Sequence, residues 1–119
     1  MPYITPEERK ELFLGMKPST PGQLNYAITL LALKLKDYPV DLRRGIRDAI
    51  LEYLGGRASY TLFNEVMGVL ECARLEYLRR VGYDVYINDS FDSMEKWLYT
   101  QFIGPYEDKK KEENGDVYD

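Results

Sequence analysis

The amino-acid sequence predicts an all-α fold, a compact bundle of five or six helices around one long central helix. Three observations carry that prediction. Helix-starting devices recur along the chain, apolar residues repeat at helical spacing after them, and glycines stand where the repeats end. The one stretch that alternates like a strand, Tyr83 to Asn88, has no second strand to pair with, so it reads as a loop or a helix continuation.

Each element has its own signal. Thr5-Pro6-Glu7-Glu8 offers an N-cap, a proline in the first turn and a capping-box glutamate, which predicts a short helix to about Phe13, stopped near Gly15. Thr20-Pro21-Gly22-Gln23 repeats the device. The helix it starts, to Lys36, shows an apolar face at Leu24, Ala27, Ile28, Leu31 and Leu35, and Tyr38-Pro39 ends it. Asp41 can cap a third helix running to Leu54. Its apolar face is Leu42, Ile46, Ala49, Ile50, Tyr53 and Leu54, and Gly55-Gly56 forms its stop. On its outer face Arg44 and Asp48 are attracting neighbours one turn apart, whereas Asp48 and Glu52 repel.

Ser59 starts the longest helix, to about residue 81, apolar over a wide arc from Leu62 to Val81. Gly82 ends it. Asp89 or Ser90 can cap a further helix carrying Phe91, Met94, Trp97, Leu98 and Phe102, broken at Gly104-Pro105. Tyr106 to Glu113 reads as a last polar helix closed by Asn114-Gly115. The chain thus divides into a helical domain, residues 1–104, and an acidic helix or tail, residues 105–119.

Composition excludes several chemistries. The 119 residues include no histidine and one cysteine. There is no imidazole base, no histidine-ligated metal, no intramolecular disulfide and no thiolate zinc cluster. No apolar run approaches the roughly 20 residues of a membrane helix, and the N-terminus reads as neither signal nor transit peptide. The expectation is a cytoplasmic protein without a cofactor. The tail, residues 101–119, holds three lysines against six acids, and the remainder is nearly neutral with 13 basic and 14 acidic side chains. That balance lacks the basic excess of a duplex-binding domain and argues against a nucleic-acid partner.

Candidate chemistry lies in the arginines and tyrosines. Arg43, Arg44 and Arg47 cluster, Arg57 follows a glycine pair, and Arg79 with Arg80 ends the long helix. Guanidinium forks match phosphate oxygens. The structural alternative for the last two is complementing a helix C-terminus, with Arg80 pairing to Glu76 one turn back. Eleven tyrosines is a high number, and Tyr26, Tyr53, Tyr60 and Tyr77 are candidates for stacking on a base or for packing and self-association, which points to a homo-oligomer. Glu65 and Glu71, on an otherwise apolar helix, are expected to pair with arginines across the bundle or to line a site. Trp97, Phe91 and Met94 read as packing, and Cys72 as a small core hydrophobe.

Two segments resemble a family of small uncharacterised helical proteins from phages and prokaryotes. They are Asn64 to Arg80, NEVMGVLECARLEYLRR, and Pro105 to Tyr118, PYEDKKKEENGDVY. Met-Pro-Tyr-Ile at the start and the stretch from Pro21 to Thr29 fit the same pattern. That pattern passes from Arg-Arg almost directly to Pro-Tyr-Glu-Asp, whereas here residues 82–104 intervene. The resemblance implies no catalytic residue; its functional hint is phage association. By analogy it suggests a non-enzymatic protein that sequesters a small phosphorylated ligand or signalling nucleotide. A protein–protein interaction module acting on a host or phage protein through the tail and aromatic helix is the alternative. A second alternative is a Mg²⁺-dependent nucleotide pyrophosphohydrolase resembling the MazG family. Its acidic patterns would be Glu8-x-x-Glu11 and Glu113-x-x-Asp116, with Glu65, Glu71 and Glu76 on the long helix.

Overall fold

Helix ends lie where short-range chemistry puts them. In the computed structural model, which describes residues 5–7 and 17–114, α1 spans Pro21–Lys34, α2 Pro39–Leu54, α3 Tyr60–Val81 and α4 Val85–Leu98. A π-helical turn, Tyr99–Ile103, then leads into α5, Gly104–Asn114. All the regular structure among the described residues is helical. Of the stretch expected to hold a helix from Thr5 to Phe13, Thr5, Pro6 and Glu7 are described, and Pro6 and Glu7 are helical. The rest of it, with Glu8 and Glu11, lies outside the described residues, as do Gly115 and Asp116.

Thr20 caps α1 by accepting from the Gln23 N–H at 3.2 Å. The reciprocal arm of the capping box is displaced by one residue, because Gln23 Oε1 accepts from the N–H of Ser19 at 2.8 Å rather than from Thr20. Pro39 occupies the first turn of α2, so this helix starts at Tyr38 and not at Asp41. Gly55 closes α2 at φ 56°, a left-handed conformation that costs a side chain roughly 1 kcal/mol. Ser59 caps α3 through the Leu62 N–H, and Gly82 ends it.

The segment Tyr83–Asn88 departs from expectation. Asp84, not Asp89 or Ser90, is the cap of α4, accepting from the N–H groups of Tyr86 and Ile87 at 3.0 and 3.2 Å. The alternating apolar residues there make the first turn of a helix, in which Ile87 is buried and Tyr86 exposed. Gly104-Pro105 does not break the chain's helical course either. A proline ring collides with the carbonyl one turn back in an α-helix. Here the Gly104 N–H reaches back to the Tyr99 carbonyl, and the added residue widens the turn ahead of Pro105.

The helices form a ring. α1 packs on α2 and α3, and α4 packs on the other side of the same two. The long helix is therefore one wall of the ring and not its hub. Its buried stripe, Phe63, Val66, Leu70, Ala73 and Tyr77, repeats at alternating three- and four-residue steps. Asn64, Gly68, Cys72, Leu75 and Leu78 on its other side are exposed. Opposite the stripe lie Leu24, Ile28 and Ala32 of α1, with Ile46 and Ile50 of α2 and Phe91 and Met94 of α4 closing the core. The buried face of α1 is rotated from the expected one. It takes in Asn25 and Thr29 and leaves Ala27, Leu31 and Leu35 half-buried. Thr29 repays its burial by donating to the Asn25 carbonyl at 2.8 Å. The C-terminal extension returns to the ring through Phe63, whose ring meets Phe102 at 5.7 Å and Tyr106 edge-on at 5.5 Å.

The Asp84 cap yields a direct test. Asp84→Ala should lower stability by about 1 kcal/mol in urea unfolding. Asp84→Asn, which can still cap, should stay close to the parent protein.

Candidate functional site

The six candidate arginines fall into three groups by what their guanidinium groups already hold. Arg57 turns back on α2, donating to the carbonyls of Tyr53 at 2.7 Å and Leu54 at 3.1 Å. It thus satisfies the open carbonyl end of that helix and lies over the Tyr53 ring at 5.5 Å. Arg79 and Arg80 both grip Glu76, Arg80 through Nε at 2.8 Å. The expected Arg80–Glu76 pair is present, and Arg79 joins it. The two guanidinium groups hold the Glu76 carboxyl well below its ordinary range, at about 2.

Arg43, Arg44 and Arg47 form the third group. Arg44 is exposed and reaches Asp41 at 4.0 Å, not the expected Asp48. Arg43 and Arg47 are half-buried and one turn apart, and no ion pair or hydrogen bond engages either among the described residues. They flank the buried face of α2 on the side away from Gly45, whose edge meets Leu31 of α1. Since α2 has α1 on one side and α4 on the other, their flank is the one toward α4. On α4, Asn88 and Glu95 share the flank that meets α3. The opposite flank, toward α2, holds Ser90 and half-buried Trp97.

Two of the candidate stacking tyrosines are core residues. Tyr53 is 5% exposed and Tyr77 1%, so neither presents a ring face to a ligand. The Tyr53 hydroxyl donates to Glu65, and burial followed by that carboxylate pushes its pKa up to about 12. The Tyr77 hydroxyl donates to Asp84 at 3.4 Å and is also raised, first by burial. Tyr26 and Tyr60 are half-buried on α1 and α3. Among the described residues, neither glutamate meets the expected arginine across the bundle. Glu65 takes a tyrosine, and Glu71 takes Arg74 on its own helix. Cys72 is exposed, not a core residue, because it sits on the outer side of α3 while its neighbour Ala73 turns inward.

A polar seam between α3 and α4 was not foreseen. Arg74 donates to Glu71 through Nε at 3.2 Å and reaches Asn88 Oδ1 at 3.5 Å. Arg74 holds the Glu71 carboxyl below its ordinary range. Burial, then the charges of Glu71 and Asp92, raises Glu95. The seam was illegible in sequence because residues 83–88 did not read as the start of a helix. Among the described residues, no group of three or more Cys, Asp or Glu side chains is disposed to hold a metal ion. Nor does any described helix have the length and apolarity to cross a membrane.

Fold and side chains together define a small all-helical protein whose ion pairs, among the described residues, each lie within one helix. The chain belongs to a family described as a domain of unknown function, DUF6899, which matches residues 1–117. No curated protein and no solved structure matches it.

Two titrations test these assignments. Glu76 ionises more easily folded than unfolded, so its stabilisation is complete above its ordinary value of 4.5 and is lost as pH falls toward about 2. Glu76→Gln should cost about 1 kcal/mol at neutral pH and flatten that acid limb in urea unfolding measured across pH. Glu95 has the opposite sign. Its raised pKa stabilises the protonated folded form, and the benefit is lost as pH rises through the folded value. Glu95→Gln should raise the melting temperature at neutral pH, by roughly a few tenths of a kcal/mol in stability, and lose that gain in acid.

Proposed function

We propose that this protein is a non-enzymatic binding protein that holds a small phosphorylated ligand between α2 and α4, gripped by Arg43 and Arg47. One observation carries the reading. Two like-charged, half-buried arginines stand one turn apart with no acidic partner among the described residues. Such a pair repels itself by roughly 0.2–0.5 kcal/mol. A phosphate group offsets that repulsion, accepting from two forks at once. Arg57, Arg79 and Arg80 are left out of the ligand's grip because each already closes a carbonyl or carboxylate.

Ring recognition falls to Trp97, whose flank of α4 faces the arginine flank of α2. Trp97 meets Phe102 edge-on at 5.5 Å and stays half-buried. Stoichiometric sequestration fits the resemblance to small phage-associated proteins better than turnover does. The long-helix carboxylates that a pyrophosphohydrolase would use are engaged with Tyr53, Arg74, Arg79 and Arg80.

Trp97 is the chain's one tryptophan and serves as the reporter. Titration with a nucleoside diphosphate should change its fluorescence, with an affinity that weakens as salt is raised. Replacing both Arg43 and Arg47 with alanine should weaken binding by about tenfold or more, the equivalent of at least 1.4 kcal/mol, whereas Arg79→Ala should leave it unchanged. No response from the parent protein to nucleoside diphosphates, cyclic dinucleotides or pyrophosphate would overturn the reading.

A further inference from the structure

The outer face of α3 has a pattern of its own. Thr61, Asn64, Gly68, Glu71, Leu75 and Leu78 succeed one another at alternating three- and four-residue steps, the spacing of a two-helix seam. The seam is lopsided. Its first half is small, with Gly68 exposed and, among the described residues, nothing within 4 Å of where a Cβ would stand. Its second half is large and apolar, with Leu75 47% and Leu78 40% exposed. Charge is lopsided too, with Glu65 beside the first half and Arg79, 69% exposed, beside the second.

A surface with a small acidic half and a large basic half is complementary to itself turned end for end. We infer that α3 pairs with α3 of a second copy of this chain, antiparallel, about a two-fold axis passing between Glu71 and Cys72. A two-fold contact must be self-complementary in this way. In that register Gly68 faces Leu75 of the second copy, and Leu75 faces its Gly68. The missing Cβ admits the leucine and lets the helices approach closely. Glu65 comes within one position of Arg79 of the second copy, twice over. Opposed helix dipoles favour the same orientation. Glu71, at the midpoint, is already neutralised by Arg74, so the axis does not bring two bare carboxylates together. The pairing leaves Arg43 and Arg47 untouched, since α2 stands across the ring from α3, and it does not depend on the proposed ligand.

The register also places each Cys72 beside its counterpart, and Cys72 is exposed and the only thiol. The experiment uses the full chain without added ligand. Sedimentation over a concentration series should show a monomer–dimer equilibrium. Gly68→Glu should weaken it at least about tenfold, roughly 1.4 kcal/mol, with an unchanged circular dichroism spectrum. A Cβ at position 68 meets no atom of the described residues within 4 Å, and glutamate improves helix propensity, so loss of the dimer with an unchanged spectrum reports the seam and not the fold. A short bis-maleimide should join the parent chains through Cys72. On a Cys72→Ser background, Asn64→Cys should give no cross-linked dimer, because antiparallel pairing sets the two copies of residue 64 about 22 Å apart along the axis. A monomer at every concentration, a dimer indifferent to Gly68→Glu, or cross-linking through residue 64 would each overturn the inference.

Discussion

The long helix has a single buried stripe, and the rest of the structure is arranged to keep water from it. Phe63, Val66, Leu70, Ala73 and Tyr77 run along one side of a helix of 22 residues. α1 and α4, at 14 residues each, lie on either side of that stripe, and α2 closes the ring behind them. Each covering helix brings its own apolar stripe, so burial is shared at every contact. The C-terminal extension fits the same constraint. It reaches Phe63, at the start of the stripe, and Phe102 and Tyr106 close that end with edge and tilted ring contacts.

Polar groups are placed by what burial leaves over. The ion pairs among the described residues are all short-range, three or four residues apart on one helix. Such pairs hold a helix surface in order but do little to join helices. The exceptions are informative. Tyr53 to Glu65 ties the end of α2 to the start of α3, Arg74 to Asn88 ties α3 to α4, and Tyr77 to Asp84 ties the core to the cap that starts α4. Each uses a neutral partner on one side, which avoids burying two charges together. Against this economy, the Arg43–Arg47 pair, unengaged among the described residues, and the exposed Leu75–Leu78 face are two features that internal stability does not explain.

The sequence by itself determined where most helices start and stop. Thr20, Ser59, Gly55 and Gly82 act locally, through hydrogen bonds and backbone angles that need only the next few residues. It also determined the core members of α2, whose periodicity leaves little choice of face, whereas the wide apolar arc of α3 narrows to one stripe that leaves Val81 exposed. Tertiary structure decided the rest. Whether Asp84 or Asp89 caps α4 depends on whether Ile87 finds a core to enter, and both carboxylates are equally able to cap. Whether Gly104-Pro105 ends a helix depends on whether Phe102 and Tyr106 gain enough at Phe63 to hold a widened turn. The rotated face of α1, with Asn25 and Thr29 inside, depends on the shape of α3 opposite. The committed partners of Arg57, Arg79 and Tyr53, and the exposure of Cys72, depend on which side of each helix the ring closes over. Capping is a contest among neighbours in sequence and can be judged there. Burial and engagement are contests among neighbours in space, and the packed ring settles them.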